Sequence, residues 1–395
     1  MATRRFCAGC VGGDAYGCCD MRILHTSDWH LGRSFHREDL LAAQAAFVDH
    51  LVGTVAAERV DCVLISGDVY DRALPGVDAV RLCNEALERL AALTRVVLIA
   101  GNHDSARRLG FGSALMDAAG VHVRTDFAAV GEPVVVGDAA VYGIPYLEPE
   151  LVRHPWDLGE RSHAAALTEA MRRVRRDAAA RPQRSVVLAH AFVTGGESSE
   201  SERDISVGGS SQVSASVFDG VDYAALGHLH GAWRITDRVR YSGSPLAYSF
   251  SEDRHVKGSW LIDLGAEGIA AEFVEAPVPR RLARISGRID DLLTDPRFDE
   301  HEDRWLQITL TDRRRPSGAM ERLRRRFPHA LVLGFEPEGG GTDGARTWSE
   351  RVRERSALDI AGDFVAEVTD GPATGAERAL LHEAFEACRQ KEALG

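Results

Sequence analysis

The feature that most constrains this chain is a pattern repeated through its first two thirds. A short apolar run breaks off, each time, into residues able to ligate a cation or carry a proton. Arg22-Ile23-Leu24-His25 leads into Ser27-Asp28-Trp29-His30, and Cys62-Val63-Leu64-Ile65 into Ser66-Gly67-Asp68. Val96-Val97-Leu98-Ile99-Ala100 leads into Gly101-Asn102-His103-Asp104, Val186-Val187-Leu188-Ala189 into His190, and Tyr223-Ala224-Ala225-Leu226 into Gly227-His228-Leu229-His230. Runs of this length beside glycine read as buried strands, and the glycines let the backbone turn at the strand ends. Between them, residues 38–58 and 77–93 carry helical spacing. Strands alternating with helices predict a layered α+β fold, an α/β/α sandwich, and such sheets gather their sites at the carboxyl ends of strands.

The polar residues narrow the chemistry. Asp28 and His30 are two apart, as are His228 and His230, and in an extended chain that spacing points both side chains to one side. One His at a strand end is ordinary. Two such pairs together with Asp68, Asn102 and His190 call for a cation, because acids and imidazoles packed together otherwise repel or stay desolvated. The set holds imidazole, carboxylate and amide but no thiolate, which disfavours a structural zinc cage and suits manganese, iron or zinc in a catalytic pair. Two such ions would activate a water and steady both oxygens of an in-line phosphoryl displacement.

Composition sets limits on partners. The chain has 395 residues, 45% hydrophobic and 27% charged, as in soluble globular proteins, and this length suggests two or three domains. No apolar run is long enough to cross a bilayer and no secretion signal is read, so no membrane partner is expected. The net charge of −12 means that a polyanionic substrate has to be held by local basic patches or bound metal. Four of the seven cysteines, Cys7, Cys10, Cys18 and Cys19, crowd the start, but the adjacent second pair suits a tetrahedral cage poorly. Residues 1–20 therefore read as a disordered leader or a start placed too far upstream. Cys62, Cys83 and Cys388 read as packing residues, which points to a reduced, cytoplasmic compartment.

The expected organisation is a main domain over 21–276, a small α+β capping domain over 280–337, a Gly-rich linker over 338–355 and a helical tail over 356–395. Two amphipathic stretches, 357–368 and 376–393, make up the tail. Residues 194–216, rich in Gly, Ser and Glu, read as a long mobile loop. The runs Arg172 to Arg176 and Arg313-Arg314-Arg315 read as solvated faces, and Trp29 as packing beneath the first metal loop. Arg107 and Arg108 are expected to contact phosphates.

The ordered set D-x-H, GD, GNHD, a lone His and GHxH, spread over two hundred residues, resembles the signature of calcineurin-like metallophosphoesterases. The stretches His25 to Gly32, Gly67 to Asp71, Ala225 to His230 and Tyr241-Ser242-Gly243-Ser244-Pro245 are similar to the SbcD family. These are bacterial nuclease subunits related to the archaeal and eukaryotic double-strand-break-repair nucleases. The likeness is close from Met21 to about Phe273. It implies two divalent ions, manganese, one on Asp28, His30, Asp68 and His230, the other on Asp68, Asn102, His190 and His228. It implies that Asp68 bridges them and that His103 is the general acid for the departing 3′ oxygen or steadies the scissile phosphate. Asp104 is expected to orient His103 and favour its protonated form. The archaeal and eukaryotic branch carries His where this chain has Asp71, so the second imidazole is absent. The resemblance also implies DNA as substrate, a homodimer within a heterotetramer, and an SbcC-type ATPase gripped by the C-terminal helices.

Three readings follow from different classes: a nuclease acting in DNA repair, recombination and replication, a metallophosphoesterase for a small phosphodiester, and a DNA-end-binding scaffold. The complete ligand set disfavours the scaffold. The appended domain and tail disfavour the small-substrate enzyme, so the nuclease is preferred.

Overall fold

Two parallel-rich sheets packed face to face place every strand end named above in one neighbourhood. The computed structural model describes residues 21–203, 212–266, 268–338, 358–359, 361–362, 364–365 and 373–394. In chain order the main elements are β1 (Met21–Thr26), α1 (Leu41–Glu58), β2 (Cys62–Ile65), α2 (Val77–Ala91), β3 (Arg95–Ile99), β4 (Val121–Arg124), β5 (Val134–Val136) and β6 (Ala139–Ile144). Next come α3 (His163–Ala178), β7 (Arg184–His190), β8 (Tyr223–Gly227), β9 (Trp233–Arg234), β10 (Val239–Tyr241), β11 (Gly258–Gly265) and β12 (Gly268–Glu275). Strands β13 (Leu282–Gly287), β14 (Trp305–Leu310) and β15 (Ala330–Phe335) and the helix α4 (Gly375–Leu394) complete the set.

The first six-stranded sheet runs β12-β11-β1-β2-β3-β4 and the second β9-β10-β8-β7-β6-β5. Strands β1 to β4 are mutually parallel, and β11 returns antiparallel to β1 with Met21 opposite Leu264. Between the sheets lies a layer that includes Ile23, Leu64, Val97, Ile99, Val141, Val186, Leu188 and Ala225. Most are β-branched or aliphatic, the side chains that pack best on pleated faces, and each Val, Leu or Ile among them stabilises the fold by roughly 1.5–3 kcal/mol on burial.

Helices cover the outer faces. Helix α2 buries Ala79, Leu82, Cys83, Ala86, Leu87 and Leu90, one stripe at helical spacing, and with Phe47, Leu51 and Val55 of α1 it seals the first sheet. Helix α3 begins where the Ser162 hydroxyl accepts from the Ala165 amide at 3.1 Å. It covers the second sheet through Ala166, Leu167, Ala170, Met171 and Val174. The layered α+β sandwich is as expected, with a β layer two sheets thick. Trp29 is fully buried, and its indole donates to Thr26 Oγ1 at 2.9 Å, so it packs as anticipated. Arg172 and Arg173 pair with Glu169 on an outer helix face.

By its internal contacts the chain forms two units. The first holds 1–285, 294–308 and 320–333, and the second 286–293, 309–319 and 334–395. Strands β13-β14-β15 make a three-stranded sheet. In the first unit a cluster of Phe35, Leu40, Leu246, Tyr248, Phe250 and Leu282 gathers Trp305, Leu331 and Val332. In the second unit α4 opens on a reciprocal cap, in which Thr374 N donates to Glu377 Oε2 at 2.7 Å and Glu377 N to Thr374 Oγ1 at 3.4 Å. The leader over 1–20 and the linker over 339–355 lie outside the described residues. So do most of the stretch over 357–368 and the part of the Gly/Ser-rich loop over 204–211. Among the described residues no helix is long and apolar enough to cross a membrane.

Candidate metal centre

All seven residues expected as ligands converge. Asp28 and His30 follow β1, Asp68 follows β2 and Asn102 follows β3, all in the first sheet. His190 ends β7, while His228 and His230 follow β8, in the second. Asp28, His30 and His230 can place one donor atom each within 4.8 Å of one another, and so can Asp28, Asp68 and His190. The pairs were expected to converge by extended spacing. Instead Asp28 (φ 54°), His30 (φ 44°), Asp68 (φ 49°) and His228 (φ 106°) lie in left-handed territory, where non-glycine residues are strained and which tends to mark functional sites. The loops after β1 and β2 are zipped together, with Asp28 N donating to Gly67 O and His30 N to Asp68 O, both at 3.0 Å. That bonding fixes the turn and leaves the side chains aimed inward.

The glycines before the ligands are a matter of space. A Cβ on Gly101 would overlap Asp68 Oδ1, one on Gly67 would strike His190 Nδ1, and one on Gly227 would overlap the Ser66 carbonyl. Three strand ends are thus packed so closely that only hydrogen fits between them.

Hydrogen bonds set which atoms remain free. His103 N donates to Asp68 Oδ1 at 2.8 Å. The other carboxylate oxygen, Oδ2, lies 3.6 Å from His30 Nε2 and 3.5 Å from His190 Nε2, between residues of the two sheets. His190 Nδ1 meets the Ser66 carbonyl at 2.9 Å. A carbonyl can only accept, so that nitrogen carries the proton and Nε2 presents a lone pair. This lone pair faces Asn102 Oδ1 at 2.8 Å, which also lies 3.2 Å from His228 Nδ1. His230 Nδ1 meets the Ser201 hydroxyl at 2.6 Å, and Ser201 donates its own hydrogen to Glu252. The His230 Nε2 lone pair therefore points inward, 3.1 Å from His30 Nε2.

Lone pairs gathered at separations near 3 Å have the spacing of donors on neighbouring corners around an ion held at about 2.1 Å. Burial, then the charge of Asp68, raises the Asp28 pKa well above its usual value, and burial raises Asp68. Burial likewise pushes His190 down to about 4 and holds His30 and His228 well below the ordinary imidazole value. Buried acids beside neutral imidazoles make a donor set that a divalent cation completes. The residues fit the metal pair expected of them.

Behind these candidate ligands lies a support that the sequence did not announce. The Lys257 ammonium is buried, bonded to Glu252, to the His230 carbonyl at 2.8 Å and to Ser244 Oγ at 3.0 Å. Burial would raise the Glu252 carboxyl, but Lys257 and His230 outweigh it and hold it below the usual range. A glutamate five residues before a lysine is a common surface pattern, so nothing marked this pair. Ser201 and Glu202 were hidden in a stretch read only as loop. Glu202 Oε1 accepts from His230 N at 2.7 Å.

Other expectations need correction. Asp104 does not contact the His103 ring. Its carboxylate accepts from the amides of Gly101 at 2.9 Å, Tyr70 at 2.9 Å and Val69 at 3.1 Å. It ties the loops after β2 and β3, because backbone donors on both sides leave its oxygens no reach to the imidazole. His103 Nδ1 meets the main-chain carbonyl of Asp71 at 2.8 Å instead. The Asp71 side chain turns to Arg33, 3.4 Å away, and lies 3.8 Å from His30 Nδ1. Arg107 and Arg108 are exposed on the short helix Ala106–Leu109, and Arg108 donates to the Ala73 carbonyl at 3.2 Å.

A family model described as calcineurin-like phosphoesterase matches residues 21–232, more than half of the chain. The chain belongs to that family, whose members are metal-dependent hydrolases. A second model, described as the type 5 capsule protein repressor C-terminal domain and abbreviated as the SbcD C-terminal domain, matches residues 278–369. Together the two matches support an SbcD-type nuclease. Solved structures similar to this chain include TT1561 of Thermus thermophilus, at 15% identity over 65% of this chain and 99% of that one, with a TM-score of 0.36. Calcineurin-like phosphoesterase YfkN from Bacillus subtilis is 13% identical over 66% of this chain and 89% of its own, with a TM-score of 0.33. Pseudomonas putida nuclease MPE is 18% identical over 63% and 87%, with a TM-score of 0.23.

Proposed function

We propose that this chain is a manganese-dependent DNA nuclease, a double-strand exonuclease and single-strand or hairpin endonuclease. In this reading it works with an SbcC-type ATPase in DNA repair, recombination and replication. The observation that carries the reading is the convergence of Asp28, His30, Asp68 and Asn102 from one sheet with His190, His228 and His230 from the other. One ion is assigned to Asp28, His30, Asp68 and His230, the second to Asp68, Asn102, His190 and His228. Asp68 would serve both, a role supported by its Oδ2 standing between His30 and His190. When bound, the pair supplies an activated water and charge stabilisation at a scissile phosphate.

The chain's own groups do the rest. Ser201, Glu252 and Lys257 keep the His230 proton on Nδ1, as the hydrogen-bond partners of metal-bound histidines commonly do. With its Nδ1 proton given to the Asp71 carbonyl, His103 exchanges protons through Nε2. Burial holds its proton affinity below the ordinary imidazole value, offset only in part by Asp68 and the Asp71 carbonyl, and an incoming phosphate raises it. That suits a general acid armed by its substrate.

The capping strands and α4 are assigned to partner binding. The SbcD C-terminal match over 278–369 supports a partner-binding role for the capping strands, and the ATPase is assigned to the C-terminal helices by resemblance. For a homodimer, support comes from Leu74, Val77, Val80, Phe111 and Leu115, all exposed. The Arg108–Ala73 bond links the segments that carry them. The test is cleavage of duplex and hairpin oligonucleotides against a chromogenic phosphodiester, with and without the ATPase, across manganese, magnesium and zinc. Turnover of the small diester alone, under every metal and with the partner present, would overturn the nuclease reading.

A further inference from the structure

The residues that follow β7 include a segment, Ser199 to Arg203, that is anchored almost residue by residue to the metal centre. Ser199 Oγ donates to Glu252 Oε1 at 3.2 Å, and the Glu200 amide to Ser251 Oγ at 3.0 Å. The Ser201 carbonyl accepts from Arg33 Nη2 at 3.1 Å. Ser201 and Glu202 hold the side chain and the amide of His230. A segment so tied has little freedom to move alone, and its last described residue is a cation. Arg203 is exposed, and its Nη1 reaches the Asn102 carbonyl at 3.4 Å. That bond sets its guanidinium beside the loop after β3 that carries Asn102 and His103.

Three nearby cations are committed elsewhere. Arg33 is spent on Asp71, on the Ser201 carbonyl and on the face of Tyr248. Lys257 is buried behind His230 on Glu252. Arg108 turns to Ala73. Among the described residues Arg203 has one long bond, to a neutral carbonyl, which leaves most of its five donors for other partners beside Asn102 and His103. In a chain of net charge −12, an anionic substrate needs such a local cation.

We propose that Arg203 is the side chain that grips the substrate phosphate at this centre, carried there by a segment pinned to His230. A guanidinium matches two phosphate oxygens at once, which a lysine cannot do. The inference rests on the phosphodiesterase reading for its consequence, but not for its test.

The variants are Arg203→Gln, which keeps a donor for the Asn102 carbonyl and removes the charge, and Arg203→Lys, which keeps the charge and loses the fork. Two quantities are measured on manganese-loaded full-length protein: the affinity for inorganic phosphate by calorimetry, and the turnover of a phosphodiester. Arg203→Gln is expected to weaken phosphate binding about tenfold and lower turnover by about 10²-fold, the usual effect of losing one transition-state donor. Metal content and melting temperature are expected to stay unchanged, and Arg203→Lys to recover part of both losses. Phosphate affinity unchanged in Arg203→Gln overturns the proposal, whatever the turnover. An inactive wild-type protein whose phosphate affinity still falls in Arg203→Gln keeps Arg203 as the phosphate contact and defeats the phosphodiesterase reading instead.

Discussion

Replacing Lys257 by Met should be among the most damaging single changes in the first unit. Lys257 is 4% exposed and its partner Glu252 is 1% exposed. Its hydrogens are all used, on Glu252 Oε2, the His230 carbonyl and Ser244 Oγ. Methionine fills nearly the same volume and offers none of these bonds, so Glu252 is left buried with its countercharge removed. Breaking one side of a buried pair costs about 3–5 kcal/mol, mostly the desolvation of the charge left behind. The cost has a pH signature. In the wild type, where the carboxyl is held below 4.5, the stability that the carboxylate contributes is full above that pH and lost as pH falls through its lowered folded value. In the variant the same carboxyl is raised by burial, so stability is lost as pH climbs above its unfolded value. The difference between the two proteins should therefore widen from pH 5 to pH 8. Urea unfolding at both pH values measures it, and Lys257→Met/Glu252→Leu should recover part of the loss at pH 8. A cost below 1 kcal/mol at pH 8, or one that shrinks as pH rises, would refute the assignment of this pair as a desolvated support for His230.

Gly101→Ala should depress metal binding along with stability, since the new Cβ overlaps Asp68 Oδ1; overpacking of this kind costs roughly 1–3 kcal/mol, and a variant with normal metal content by elemental analysis would contradict it. Asp68→Ala should lose both ions and all cleavage, whereas His103→Ala should keep its metals and lose cleavage by about 10²–10⁴-fold. A metal-depleted His103→Ala would make that residue a ligand. His25 is buried against the Tyr223 hydroxyl at 2.9 Å and the Leu226 carbonyl at 3.1 Å, and burial lowers it from 6.5 to about 3. Its folded pKa lies below its unfolded one, so the unfolded chain binds the extra proton and stability is lost as pH falls through that window. His25→Gln should then flatten the stability profile, removing about 2 kcal/mol of loss by pH 5, which denaturation at pH 7 and pH 5 will show.

Much of this was written in the chain locally. The strand runs, the helical spacing of α1 and α2, and the polar residues at strand ends are short-range patterns, and the fold brings those polar residues together. The second sheet as a separate layer was less visible, because which strands pair is decided by contacts between residues far apart, such as Met21 with Leu264. The role of Asp104 failed for a similar reason. Its nearest sequence neighbour with a ring, His103, proved less accessible to it than amides from the loop after β2. Lys257, Glu252 and Arg203 are charged residues in stretches without periodicity, and only the folded chain gives them distinct surroundings.

The return of β11 to pair with β1 has a consequence for biosynthesis. The strand made first gains its antiparallel neighbour only when residues 258–265 have been synthesised, and His228 and His230 themselves come late. A ribosome-bound chain that stops before then lacks part of the ligand set and one flank of its founding strand. Competence to hydrolyse a phosphoester is thus withheld until the first unit's two sheets can be completed.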